Sequence, residues 1–222
     1  MTADEASPGF RIVASERPFT GRLISVRVDR IADAEGRESS REVVEHPGAV
    51  GALVVDGEER VLLVDQWRHA VGGRLLEVPA GTYDVHGEPV TEALRRELAE
   101  ELRVEGGTLT WLTTFYTTPG WSDEVVDIYL AEGVRPIEGE PPPGEWEEAG
   151  MEMVALTFDE AVERVAGNPP GDSKTLVALG LYGLMRAGAW APDQSRAPAP
   201  DAPARRVAAR PAAAPQPGPR AG

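Results

Sequence analysis

A chain of 222 residues, 41% of them hydrophobic, can bury one sizeable core but has little room for two independent domains. The absence of cysteine removes disulfides, thiol catalysis and cysteine metal sites, and the longest apolar runs are strand-sized rather than membrane-sized. A net charge of −15 opposes binding to nucleic acid or an anionic membrane, both of which require clustered Lys and Arg.

The first residues are acidic and lack a basic start followed by an apolar stretch, so they do not read as a secretory signal, and a cytoplasmic protein is expected. Strands are predicted at Arg22 to Arg30 and Ser39 to Glu45, around a turn at Asp33 to Arg37. Two apolar strands follow, Val50 to Val55 and Val61 to Gln66, joined by a hairpin signal at Asp56-Gly57-Glu58-Glu59. Leu75 to Val78 is a short strand ending at Pro79-Ala80-Gly81, and Glu88 to Val104 carries a helical pattern. Trp111 to Thr117 and Val125 to Ala131 read as strands flanking the Pro119-Gly120 loop. A Pro/Gly/Glu-rich loop at Glu138 to Gly150 leads into a strand at Met151 to Leu156. Thr157 and Asp172 cap two helices, running to about Ala166 and Ala187. From 191 onward Ala, Pro, Arg and Gly dominate, and this tail reads as disordered; with two aspartates against five arginines it is near +3, leaving the rest near −18. The pattern is α+β, an α/β/α sandwich with N-terminal strands in front.

The helix at 88–104 carries the chemistry. With Glu97 at 0° and about 100° per residue, Glu101 falls near 40° and Glu100 near 300°, while Val90, Leu94, Leu98 and Leu102 span about 20° to 140°. Three carboxylates therefore crowd the edge of the core-facing stripe. Like charges so close raise one another's pKa unless a cation sits among them, and hard oxygen donors suit Mg²⁺ or Mn²⁺. The plain alternative is a solvated Glu/Arg surface helix steadied by pairs such as Glu92 with Arg96.

Arg96-Glu97-Leu98-Ala99-Glu100-Glu101, with Glu88 eight positions before Arg96 and Gly81 upstream, resembles the Nudix box. Glu45-His46-Pro47-Gly48, Gln66-Trp67-Arg68, Leu76-Glu77-Val78-Pro79-Ala80-Gly81 and Thr118-Pro119-Gly120 look like the ADP-ribose pyrophosphatase branch of that family, in which a proline at the position of Pro119 is the usual marker. The resemblance covers most of 40–180. Two departures stand out: six residues rather than five separate Gly81 from Glu88, and the final box glycine is Arg103, where a left-handed helix end normally requires glycine.

The resemblance implies a Nudix-type mixed-sheet sandwich over 49–190, an N-terminal β segment at 1–48 that completes a homodimer's pocket, and a disordered tail at 191–222. It implies metal ligation by Glu97, Glu100, Glu101 and the carbonyl of Ala80, with Arg96 orienting the glutamates and Mg²⁺ (or Mn²⁺) as the ion. The general base is expected from the late loop, Glu147 first, then Glu148 and Glu145. Arg68 is expected on substrate phosphate or ribose, Glu77 on the ribose or adenine side, and Pro119 at the substrate pocket. The implied reaction is hydrolysis of ADP-ribose to AMP and ribose 5-phosphate. Alternatives are hydrolysis of another nucleoside diphosphate sugar, or a non-catalytic ADP-ribose-sensing module, although such modules typically lose box glutamates. His46, His69 and His86 show no metal-ligand spacing, no phosphate-binding glycine loop occurs, and the tryptophans are expected mainly in the core.

Overall fold

The computed structural model describes residues 9–85, 87–139 and 150–199, and they fall into two compact units. Among the described residues, the first contains those up to Pro47 together with Thr118–Glu124; the second contains Gly48–Thr117 and those from Val125 on. The division therefore falls at Pro47, and the loop carrying Pro119 goes with the first unit.

The first unit is an antiparallel sheet of β1 (Arg11–Thr20), β2 (Ser25–Ala32) and β3 (Glu38–Glu45), in that order. The predicted pair corresponds to β2 and β3. β1 was not anticipated, because it is an exposed edge strand whose Pro18 lies within a register irregularity between Glu16 and Phe19. The 118–124 loop is tied on by backbone: Val44 N–H donates to Trp121 O at 2.8 Å and Asp123 N–H to Val44 O at 3.1 Å. Ion pairs tie this sheet together. Arg17 and Arg27 both reach Glu45, at 2.9 and 3.0 Å, and Arg27 also binds the buried Asp29.

The second unit is built on a mixed sheet. β4 (Ala49–Val55) is central, parallel to β9 (Val125–Pro136) on one side and antiparallel to β5 (Val61–Arg68) on the other. β8 (Val104–Tyr116) lies outside β9, and β10 (Glu152–Leu156) outside β5. Two short strands, β6 (Gly73–Glu77) and β7 (Ala80–Thr82), pair with β5 and β4. Every residue of β4 is buried, which explains its unbroken apolar run: it is covered on both faces. One face packs against α1 (Val90–Glu101), the other against α2 (Phe158–Ala166) and α3 (Ser173–Arg186). The observed layers are those of the expected α/β/α sandwich.

Several boundaries move. β8 begins at Val104, well before Trp111, because Gly106 and Gly107 take left-handed backbone (φ +72° at both) and hide the alternation. β9 continues to Pro136 after its sides emerge into solvent and its apolar pattern fades. Thr157 forms a full capping box with Glu160, and Asp172 caps α3 through Thr175, as their positions predict. The tail is ordered further than expected. Trp190 packs against the core, a 3₁₀ turn spans Gln194–Arg196, and the Gln194 amide donates to Trp111 O at 2.9 Å. Trp67 and Trp121 are exposed rather than core, at 56% and 57%.

Candidate active site

Helix α1 presses Val90, Ala93, Leu94 and Leu98 into the core, each such burial contributing roughly 1.5–3 kcal/mol for the larger side chains. That rotation brings the stripe-edge glutamates, Glu97 and Glu101, against β7. The Ala80 N–H donates to Glu101 Oε2 at 3.0 Å. Gly81 touches Glu97 so closely that a Cβ on it would lie 1.9 Å from Glu97 Cδ and Oε1, which explains why glycine stands there. β7 is held in turn by β4 and by Tyr83, whose hydroxyl donates to the buried Asp127 at 2.7 Å; Thr114 binds the other Asp127 oxygen. This anchoring fixes the start of the enlarged loop that follows Gly81.

Arg96 gathers the acidic face. Its guanidinium lies 2.8 Å from Glu97, 3.1 Å from Glu100 and 3.4 Å from both Glu88 and Asp84. Burial pushes the Glu97 carboxyl up to about 7, opposed by Arg96 and reinforced by Glu100. Burial, reinforced by Glu97, pushes Glu101 up to about 8, against the pull of the Ala80 N–H and Arg68. Two carboxyls packed on one backbone segment, both held above the usual carboxylate range, form a site that gains from a cation. The donors are all hard oxygens. Glu100 is drawn outward onto Arg96, so among the described residues no three acidic or histidine side chains already form a closed metal cage.

Arg68, at the end of β5, binds Glu77 with both prongs, Nε to Oε1 and Nη2 to Oε2, each at 2.7 Å. Glu77 is 1% exposed and also accepts from Lys174 Nζ at 3.2 Å. Its carboxylate is thus turned inward onto two cations. Both oxygens of Glu77, expected on the ribose or adenine side of a substrate, are engaged here by Arg68 and Lys174. Arg68, by contrast, is 41% exposed at its side chain, and Glu101 is among the charges that raise its pKa, after the Glu77 hydrogen bonds.

A family model, the NUDIX domain, matches residues 45–177. The chain belongs to the Nudix family. It is 40% identical to an ADP-ribose pyrophosphatase of Mycobacterium tuberculosis (strain ATCC 25618 / H37Rv), over 72% of this chain and 76% of the relative. It is 35% identical to an ADP-ribose pyrophosphatase of Bacillus subtilis (strain 168), over 80% and 94%. Among solved structures, a crystal structure of an ADP compounds hydrolase superposes with a TM-score of 0.67 over 82% of this chain and 97% of the other, at 20% identity, a likeness of fold.

Within this Nudix chain the box residues Gly81, Glu88, Arg96, Glu97 and Glu101 come together, with Glu100 at the rim. Pro119 lies in the loop of the first unit, where Thr118 O accepts from Trp121 N and Ser122 N at 3.1 and 2.9 Å. Glu145, Glu147 and Glu148, the expected sources of the general base, lie outside the described residues, as does His86. Arg103 does take the left-handed conformation (φ +56°) that the box reserves for glycine, and the helix ends there. Sequence reading missed Lys174 and Thr175. Their signal was present: Lys174 is the single lysine among 22 basic residues.

Proposed function

We propose that this Nudix enzyme hydrolyses the diphosphate bond of ADP-ribose, giving AMP and ribose 5-phosphate, with Mg²⁺ (or Mn²⁺) held by Glu97, Glu100, Glu101 and the Ala80 carbonyl. The observation that carries this reading is the pair of half-buried carboxyls, Glu97 and Glu101, seated on the Ala80–Gly81 backbone. The names of the two pyrophosphatase relatives support the choice of ADP-ribose. When bound, the ions supply neutralisation of the diphosphate charge and a water of lowered pKa.

The remaining roles belong to the chain. Water adds to one phosphorus while the bridging P–O bond breaks and the bridging oxygen leaves with the other phosphate. A glutamate of the late loop, Glu147 or Glu148, takes the water's proton. Arg96 keeps Glu97 and Glu100 in place through its ion pairs, and Arg68 offers a cation to a substrate phosphate or ribose. The N-terminal sheet suits a homodimer contact: a three-stranded sheet needs apolar cover, and Phe10, Ile12, Phe19 and Leu23 are exposed on or beside it. Among the described residues no helix is long and apolar enough to cross a membrane.

The test is product formation from ADP-ribose, other ADP- and GDP-sugars and dinucleotides, with Mg²⁺ and with chelator. Metal-dependent AMP from ADP-ribose, faster than from its competitors, is the expected result. Preference for another sugar would move the assignment within the same chemistry, and no turnover of any compound would favour a sensing module.

A further inference from the structure

The first turn of α3 reaches two parts of the site at once. Asp172 Oδ1 accepts from Lys174 Nζ at 2.7 Å, while Asp172 Oδ2 accepts from the Thr175 N–H and hydroxyl at 2.9 and 2.8 Å. Thr175 Oγ1, buried, then accepts from the Val78 N–H at 2.8 Å, two residues before Ala80. Lys174 bridges on to Glu77 Oε2, whose two oxygens hold the Arg68 fork.

The connectivity is directional. Glu77 has no solvent contact to speak of, so its orientation is set by its partners, Arg68 and Lys174. Arg68 is the more exposed partner and has rotamer freedom to lose; Lys174 is the more enclosed one, at 15% side-chain exposure. Without Lys174, the carboxylate could swing with Arg68 rather than pin it. In a chain whose other basic residues are all arginine, a compact ammonium stands between Glu77 and Asp172.

We propose that Lys174, held by Asp172, is a positioning residue: it locks Glu77 and so aims Arg68 at the substrate's diphosphate. The inference rests on the reading of Arg68 as a substrate contact given above. Burial works against the Lys174 charge, yet Asp172 and Glu77 keep its pKa raised, so the ammonium is present throughout the working range.

The experiment pairs kinetics with a readout that needs no turnover. In Lys174→Met, KM for ADP-ribose should rise about ten-fold with kcat within two-fold, because a misaimed Arg68 weakens anion binding without touching the glutamates. In the same variant the Arg68 Nε–H resonance, assigned by its loss in Arg68→Ala, should shift and broaden. Asp172→Asn keeps a capping acceptor for Thr175 but loosens Lys174; it should move both readouts the same way by less, and it serves if Lys174→Met does not fold. An unmoved Arg68 resonance overturns the proposal, as does a parallel fall of kcat and Tm at constant KM, which marks a purely structural lysine. If the wild type turns over no diphosphate at all, the assignment of function fails instead, and the resonance alone decides the positioning.

Discussion

Replacing Gly81 with alanine would put a methyl group 1.9 Å from Glu97 Cδ and Oε1 and 2.5 Å from Cγ. Carbon atoms in ordinary contact sit about 3.5–4.0 Å apart, so the Glu97 carboxylate must retreat by roughly 1.5 Å or more. Gly81 does not use left-handed backbone, so alanine meets no conformational penalty there and trims unfolded-chain entropy by about 0.4–1 kcal/mol. Stability should therefore hold within a few degrees of Tm while the ligand geometry is lost. A displacement of about 1 Å costs on the order of 10²-fold in rate, and a metal ligand moved further costs at least that. The assay is AMP formation by chromatography across a Mg²⁺ titration, alongside thermal unfolding. Expected are a drop of about 10²-fold or more in kcat/KM and a raised Mg²⁺ requirement with a near-native Tm. Activity within two-fold of wild type at unchanged Mg²⁺ dependence would refute the claim that Glu97, held against Gly81, is a metal ligand.

The folded protein binds the Glu97 and Glu101 protons more tightly than the unfolded chain does, since both carboxyls are raised, to about 7 and about 8. Their contribution is complete below about pH 4.5 and is lost as pH rises through 7 to 8, on the order of several kcal/mol. Chelated protein should lose Tm between pH 5 and 8.5, and Mg²⁺ should restore most of it at pH 8 with proton release; a flat chelated profile would contradict the burial argument. Glu101→Gln should cut hydrolysis by about 10²-fold or more yet raise the chelated Tm at pH 8, because it removes a half-buried charge; undiminished turnover would remove Glu101 from the chemistry. Arg103→Gly should stabilise the fold by about 0.5–1 kcal/mol in denaturant titration by relieving the left-handed arginine, and a loss of stability would show that its side-chain bond to Gly139 O outweighs the strain.

Much of this site is written locally. The helical spacing of Glu97, Glu100 and Glu101 against Val90, Leu94 and Leu98 set which face meets the core, and α1 obeys it. Both later helices begin at the caps that Thr157 and Asp172 announce. Such features depend on residues within a turn or two of one another, where backbone geometry alone decides neighbours. The strands were less legible where glycines or exposure erased alternation, as in β8 and β1.

The sequence by itself determined the acidic face of α1 and the caps at which α2 and α3 begin. Only the tertiary structure decided that Glu77 turns inward, that Gly81 is the floor under Glu97, and that Lys174 reaches Glu77 from 97 positions away. Those outcomes come from the packing of β6, β7 and α3 in one core, and no local periodicity encodes which buried carboxylate meets which distant cation.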